Sequence, residues 1–146
     1  MEFQHMYFST FLNGKWREVV IHGNTLSMSN FVLNHDHNLC SIALGEKKFF
    51  LVFTEKDPVT GANILENNIS AYDYTGKHLY DINDIIPVSE IYTCAFIREI
   101  EEEHLKHKDL FPGAIKGHHL LYCQTYFRNY CVDIEEDKLL AVLTMR

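Results

Sequence analysis

The clearest strand pattern in the chain is the run Lys48–Thr54, which contains five consecutive apolar residues, three of them aromatic. Turn-forming polar residues stand on both sides, and so short a run between them predicts a β-strand rather than a helix. Side chains alternate faces in a strand, so both faces of this one would be apolar. Such a strand is stable only inside a sheet whose two sides are covered by a helix, a second sheet or a partner chain.

Polar turns flanked by aromatic and β-branched residues predict hairpins. The flanks Met6–Leu12 and Lys15–His22 enclose Asn13-Gly14, a pair that readily takes the positive φ values of a two-residue type I′ turn. Small polar residues in Gly23–Asn30 predict a loop, and a further strand is expected to begin within Asn30–Leu33.

A four-stranded antiparallel meander is predicted from Leu39 to Ile82, with Lys48–Thr54 as its second strand. Its last two strands flank Asp73–Gly76, a sequence suited to a type I turn closed by glycine. The polar segment 55–67 predicts a surface loop. Because most connections run to about 4 to 6 residues, a loop of this length is a candidate for function.

The segment Val88–Lys108 is ambiguous between helix and strand. Five of its apolar residues fall at i, i+3, i+4, i+7 and i+8, which is one helical face, whereas Ile91–Thr93 has strong strand propensity. The Glu-rich run Arg98–His104 favours a helix. We therefore expect one principal helix from about Ser89 to about Lys108.

The end of the chain predicts three more strands, over His119–Phe127, Tyr130–Ile134 and Lys138–Met145. With Arg128-Asn129 as a two-residue turn, Cys123 and Cys131 would lie on opposite faces of the sheet. A disulfide between them is therefore not expected.

The predicted fold is a single α+β domain, residues 1–146, which is mostly antiparallel sheet with one principal α-helix packed on it. Its length of 146 residues is usual for one domain. A propeller blade has the same hairpin pattern, but a complete propeller needs at least about four blades and far more chain. We attribute the likeness of the hairpins to shared turn chemistry.

Composition is that of an ordinary soluble protein, with 47% hydrophobic and 23% charged residues. No apolar run approaches the roughly 20 residues that span a bilayer, and the first residues do not resemble a signal peptide. The widely spaced cysteines, Cys40, Cys94, Cys123 and Cys131, are expected to be free thiols. These features predict a cytoplasmic protein.

The negative charge is concentrated in one segment. Between Asp81 and Asp137 there are twelve carboxylates and five lysines and arginines, so this segment carries the whole net charge of -7. Nucleic acids and anionic membranes bind proteins through lysine and arginine. We therefore expect no nucleic-acid or membrane partner, and a basic protein is the partner that the charge favours.

Motifs for catalysis and metal binding are weak. No nucleophile elbow, P-loop or H-E-x-x-H motif is present. On the predicted helix, Glu103 with His107 and Glu101 with His104 would share a face and could hold a metal. Further candidate ligands are His35, His37, His118 and His119. We expect no cofactor and no metal, and a small metal-dependent enzyme or ligand-binding domain using this His/Glu-rich helix is the alternative.

The remaining class is a non-catalytic protein-binding domain. Its most specific form is an immunity or antitoxin-like inhibitor that neutralises a basic, nuclease-type toxin by presenting carboxylates in place of phosphates. The residues predicted to contact the partner are Glu99, Glu101, Glu102, Glu103, Asp133, Glu135, Glu136 and Asp137.

Overall fold

The computed structural model describes residues 5–12 and 14–144, which fold almost entirely as β-structure. Twelve strands form three four-stranded antiparallel sheets, and within each sheet the strands follow chain order. Within the described ranges the only α-helix is α1, Glu102–Lys106. No helix there is long and apolar enough to cross a membrane. The prediction of an α+β fold with a principal helix is therefore wrong.

Sheet 1 consists of β1 (His5–Leu12), β2 (Lys15–His22), β3 (Thr25–Met28) and β4 (Phe31–Asn34). The predicted first hairpin is confirmed, since Leu12 pairs with Lys15, although Asn13 of its turn lies outside the described residues. The predicted loop over residues 23–30 is wrong because β3 pairs with both β2 and β4. Leu26 and Met28 alternate inward from β3 and are buried.

Sheet 2 consists of β5 (Asn38–Leu44), β6 (Lys48–Thr54), β7 (Ile69–Asp73) and β8 (His78–Asp81), followed by a 3-10 helix, Ile82–Asp84. The predicted meander is confirmed. Gly76 closes the β7–β8 turn with a φ of 90°, and its N–H donates to the carbonyl of Asp73 over 3.1 Å. A Cβ atom there would lie 3.0 Å from the ring of Phe31, so only glycine fits without displacement.

Sheet 3 consists of β9 (Cys94–Glu99), β10 (His119–Gln124), β11 (Arg128–Asp133) and β12 (Lys138–Thr144). Arg128-Asn129 is not the turn, because the N–H of Thr125 donates to the carbonyl of Arg128 and the turn lies between them. Cys123 consequently pairs with Tyr130. Cys123 and Cys131 still point to opposite faces, and all four cysteines are free.

The predicted helix over residues 89–108 is wrong because its middle is β9, which pairs with β10 along all six residues. Ala95 packs between sheets 2 and 3, whereas Phe96 stacks on Tyr122 at the opposite face of sheet 3 with ring centroids 4.9 Å apart. The side chains therefore alternate with the period of a strand. The helical spacing was produced by apolar residues of two different structures, an irregular segment before Cys94 and the strand after it.

The three sheets pack face to face with β6 at the centre of the stack. One apolar cluster joins sheets 1 and 2, and it includes Phe49, Leu51 and Phe53 of β6. A second cluster joins sheets 2 and 3, and it includes Phe50 and Val52. The prediction that both faces of Lys48–Thr54 are covered is confirmed, and the covering elements are two sheets rather than a helix.

This arrangement is that of successive β-propeller blades, which are four-stranded antiparallel sheets packed on one another. The first strands of sheets 2 and 3, β5 and β9, lie side by side. The likeness to blades therefore extends beyond hairpin turns to whole sheets and their packing. The described residues form three such sheets, fewer than the roughly four of the smallest complete propellers.

Segment 100–118, which connects β9 to β10, folds over the outer face of sheet 3. It contains α1 and a series of turns, and it places Leu105, Phe111 and Ala114 against the sheet. Together with Leu120 and Leu140 they form a third apolar cluster. Three of the carboxylates predicted to bind a partner, Glu101, Glu102 and Glu103, lie in this connection, and a fourth, Glu99, directly precedes it.

Candidate functional site: the acidic end of sheet 3

Antiparallel pairing brings the two predicted groups of carboxylates to one end of sheet 3. Glu99 at the end of β9 pairs with His119 at the start of β10, and Asp133 at the end of β11 pairs with Leu120 and with Lys138. We call this the acidic end. Its eight residues are Glu99, Glu101, Glu102, Glu103, Asp133, Glu135, Glu136 and Asp137. In the sequence these residues form two groups more than 25 residues apart, 99–103 and 133–137, and the register of the sheet brings the two groups together.

Segment 116–119 lies between the two groups and contacts both. The Lys116 ammonium donates to a Glu102 carboxylate oxygen over 2.6 Å, and this hydrogen bond raises the pKa of Lys116. On the other side, the backbone N–H of His119 donates to the Glu135 carboxylate, which also faces His119 Nδ1 at 3.3 Å. The two groups are therefore held by one short piece of chain.

Two further carboxylates form ion pairs with lysines. Lys138 lies 2.8 Å from a Glu136 oxygen. Asp137 accepts hydrogen bonds from the Lys48 ammonium at 2.8 Å and from the Tyr80 hydroxyl at 2.7 Å, so it links sheet 3 to sheet 2. These carboxylates make structural contacts and contribute less negative charge to the surface than their number suggests.

Asp133 differs from the others because it is buried. One carboxylate oxygen accepts the backbone N–H groups of Glu135 and Glu136, each over 3.0 Å, and thereby caps the β11–β12 turn. The other oxygen lies 2.9 Å from His118 Nδ1, and this hydrogen bond raises the pKa of His118. Asp133 therefore organises the turn and is not itself available to a partner.

Exposed charge is concentrated on Glu99, Glu101 and Glu103, all three of which are exposed. Within residues 5–12 and 14–144, none of the three has an ion-pair partner. They border a surface hollow of about 560 Å³ together with Glu102, Lys106 and Lys116. The hollow is thus negatively charged and open to a cationic side chain.

The proposed metal pairs on the helix do not form. The helix α1 ends at Lys106, and His107 has non-helical backbone angles, so Glu103 and His107 do not share a helical face. His104 instead accepts the backbone N–H of Glu101 at Nδ1 over 3.1 Å, while its Nε2 faces the Tyr122 hydroxyl at 3.2 Å. Both ring nitrogens are engaged, so His104 acts as a cap of the helix.

A different trio has the spacing of metal ligands. Ligand-type atoms of His118, Asp133 and Glu135 all lie within 4.8 Å of one another. Each is already hydrogen-bonded, His118 to Asp133 and the two carboxylates to backbone N–H groups. A cation would have to compete with these bonds.

Three of the four thiols are poorly suited to nucleophilic chemistry. Burial raises the pKa of Cys40 to about 11 and that of Cys131 to about 12, and it also raises the pKa of Cys123 well above its ordinary value. At neutral pH these side chains are protonated, whereas the thiolate is the reactive form.

Sequence reasoning did not identify a cleft of about 390 Å³ on sheet 2 beside the β4–β5 turn. Its lining includes His35 and Tyr72, whose ring centroids are 5.6 Å apart, and Asp81, which accepts a hydrogen bond from Ser70 over 2.7 Å. The unusual length of loop 55–67 was the available signal, since three residues at its end, Leu65, Glu66 and Asn67, border the cleft.

Comparison with known proteins shows a likeness in fold only. No protein-family model matches the chain, and no curated protein is similar to it in sequence. Among solved structures, the BBS1N chain in the crystal structure of BBS1N in complex with ARL6DN, soaked with mercury, has a similar fold, with a TM-score of 0.54 and 12% sequence identity. The match covers 96% of this chain and 36% of that one, so this chain spans about a third of the length of BBS1N.

Proposed function

We propose that this chain is a non-catalytic protein-binding domain whose contact surface is the acidic end and whose partner is a basic protein. The observation that carries the proposal is the position of Glu99, Glu101 and Glu103, exposed and without ion-pair partners around one hollow. A concave, negative surface steers and orients a cationic partner. BBS1N, which has a similar fold, is itself found in complex with another protein.

The scaffold suits this role. Sheet 3 holds the surface through backbone pairing on four strands, and the contacts of Asp133 and Asp137 fix the β11–β12 turn. A surface fixed in this way loses little conformational entropy when it binds. Raised pKa values keep the thiols of Cys40, Cys123 and Cys131 protonated, and both ring nitrogens of His104 are engaged, so none of these groups is an activated nucleophile.

The narrower form of the proposal is an immunity or antitoxin-like inhibitor. The basic partner would be a nuclease-type toxin, and the exposed carboxylates would occupy the cleft where the toxin binds phosphates. Seven of the eight predicted residues remain in this role, and Asp133 supports the turn from behind. The test is whether addition of the chain abolishes nuclease activity of the partner that it captures.

The broader proposal is tested by using this chain to capture proteins from a lysate of the source cells at low and at high salt. The wild type is compared with a triple variant that carries Glu99→Gln, Glu101→Gln and Glu103→Gln. Glutamine keeps the size and one acceptor oxygen of each glutamate, so the variant changes charge and little else. The cap of α1 is kept because the backbone carbonyl of Glu101 accepts the N–H of His104. A basic protein retained by the wild type should be lost from this variant and from the wild type at high salt.

A matched control removes the same number of charges outside sheet 3, by Asp36→Asn, Glu55→Gln and Glu66→Gln. These are exposed positions in the β4–β5 and β6–β7 connections. The control should retain the partner. Equal retention by the acidic-end variant and the control would contradict the proposal.

A further inference from the structure

The cleft on sheet 2 is lined by aromatic rings. The imidazole of His35 meets the ring of Phe53 edge to face with centroids 4.8 Å apart, and it meets the ring of Tyr72 in the same way at 5.6 Å. All three side chains line the cleft. Its volume of about 390 Å³ falls within the range of about 300 to 1,000 Å³ that holds small ligands.

The cleft is negatively charged. Three exposed carboxylates line it, those of Asp36, Glu66 and Asp81, and its lining, all of which lies within residues 35–81, contains no lysine or arginine. Asp36 and Glu66 have no ion-pair partner within the described ranges. Burial lowers the pKa of His35 below its ordinary value of 6.5, so this ring is mostly uncharged at pH 7. The cleft therefore favours a cation.

Two polar atoms of the cleft residues are enclosed and have no hydrogen-bond partner within the described part of the chain. They are Nε2 of His35 and Oδ1 of Asn67. Buried polar atoms in native proteins are normally paired, so each unpaired one calls for an explanation, and a ligand is one. The amide oxygen is an acceptor, and so is Nε2 of a neutral imidazole that carries its proton on Nδ1. Both atoms therefore suit a ligand with N–H donors.

The backbone that carries these two side chains is fixed. The N–H of His35 donates to the carbonyl of Asn24 over 2.9 Å, and the side-chain amide of Asn24 donates back to the carbonyl of His35 over 2.6 Å. Asn67 directly precedes the buried Asn68, whose amide donates to the carbonyl of Phe53 over 2.6 Å. A site anchored in this way loses little conformational entropy when it binds a ligand.

The spacing of the acceptors does not suit a single metal ion. Among the described residues, the one group with metal-ligand spacing is His118, Asp133 and Glu135, and none of these lines the cleft. A ligand of the cleft must therefore be larger than an ion. Guanidinium and amidinium groups are flat, positively charged and weakly hydrated, carry several N–H donors, and stack on aromatic rings.

We propose that the cleft on sheet 2 binds a small organic cation with an amidinium or guanidinium group. The flat group would pack against the aromatic rings, and its N–H donors would bind Asn67 and the carboxylates at the border. This inference is independent of the proposed function, because no residue of the acidic end lines the cleft.

The test is titration of the ¹⁵N-labelled full chain with benzamidine, a flat aromatic amidinium, followed by the NMR shifts of the backbone amides. Shifts should be confined to residues 35–37 and 65–68, with a Kd of about 1 mM, as expected for so small a ligand. Benzamide, which has the same shape and no charge, should bind at least about tenfold more weakly. Equal binding of benzamide, or no shift at these residues up to about 20 mM benzamidine, would overturn the inference.

Two variants test the named groups. Asn67→Gly removes the acceptor and should weaken benzamidine binding about tenfold. Glycine readily adopts the positive φ of 53° at this position, so the backbone is not strained. Asp36→Asn with Glu66→Gln removes two exposed charges and should weaken binding about fivefold.

Glu99→Gln with Glu103→Gln is the matched control, because it removes two exposed charges from the acidic end. It should leave the affinity of the cleft unchanged, and the amide spectra of all variants establish that each is folded. Equal weakening by the control and the Asp36 and Glu66 variant would contradict the assignment to the cleft.

A blocked peptide, acetyl-Gly-Arg-Gly-amide, separates a small molecule from the arginine side chain of a protein as the source of the cation. The peptide should bind more weakly than benzamidine, because its backbone extends beyond so small a cleft. Tighter binding of the peptide would overturn the assignment to a small molecule.

Discussion

The outer faces of sheets 1 and 3 differ in composition and in cover. The face of sheet 3 is apolar and covered, whereas that of sheet 1 mixes exposed aromatic residues with polar ones and is not covered by any described residue. The three connections within sheet 1 are two residues long, so none has enough chain to fold back over the sheet. The β9–β10 connection, residues 100–118, is long enough to return across sheet 3 and to place Phe111 and Leu105 on it. Connection length thus decides which of the two faces the described chain covers by itself.

The largest expected effect comes from uncovering sheet 3. Phe111 is 8% exposed and meets the ring of His104 edge to face at 5.0 Å. Phe111→Ala should lower the free energy of unfolding by about 3 kcal/mol, because it leaves a cavity and exposes the sheet. Urea denaturation measures this loss, with Phe127→Ala, an exposed phenylalanine, as the control expected to change it little. Equal losses would show that the segment does not cover the face.

A smaller effect is expected from removing the buried carboxylate beside that covered face. Asp133→Ala leaves the N–H groups of Glu135 and Glu136 and the ring of His118 without their acceptor. The free energy of unfolding should fall by about 2 kcal/mol. Glu136→Ala, which removes an exposed carboxylate of the same turn, should cost much less in the same denaturation experiment. A much smaller loss in the free energy of unfolding from Asp133→Ala would contradict this prediction, since it would mean that water replaces the carboxylate as acceptor.

Sheet 3 should also be the source of a pH effect. The hydrogen bond to Asp133, together with the charges of Glu135 and Glu136, raises the pKa of His118 in the folded protein above its unfolded value. This contribution is complete below about pH 6.5 and is lost as the pH rises through the folded pKa. Its size should not exceed about 1 kcal/mol, since the pair is partly open to solvent.

Denaturation midpoints from pH 6 to pH 9 measure this contribution. His118→Gln should remove the share of the decline in stability that comes from the His118–Asp133 pair. Identical profiles for the wild type and His118→Gln would contradict the assignment.

The smallest effect is expected on sheet 1. Trp16→Ser should change the free energy of unfolding of the monomer by no more than about 0.5 kcal/mol, because the side chain is 72% exposed and packs mainly on Phe11. Thermal unfolding of the variant and of the wild type at equal concentration measures it. A loss as large as that of Phe111→Ala would show that the face is buried in the monomer.

Strand β6 and the adjoining meander could be predicted from the sequence because their signals are local. Apolar residues on both faces of Lys48–Thr54 require cover on both sides, and Asp73 with Gly76 specifies a turn. The same reasoning applied to β1, whose residues Tyr7 and Phe11 alternate with Phe8 and Leu12, indicates apolar residues on both faces. It does not tell which of those faces stays exposed.

The residues of the candidate site remain a prediction from the sequence, and their arrangement in space could not be predicted from it. The carboxylates were identified from charge alone, whereas their union at one end of sheet 3 depends on the register between β9, β10 and β11. Burial of Asp133 and the pairing of Asp137 with Lys48 of sheet 2 depend on contacts between residues far apart in the chain. Charge counting contains no information on either.

The sequence by itself determined several short-range features of this protein: the hairpin turns after Leu12 and at Asp73–Gly76, the strand character of most segments and the need to bury both sides of β6. Tertiary structure decided between helix and strand where the local pattern was compatible with both. Residues 94–99 form a strand because β10 offers a complete row of backbone partners, and an isolated helix from the same residues would have had no such gain. The physical reason is that turn chemistry acts over a few residues, whereas sheet pairing and packing join residues that only the folded chain brings together.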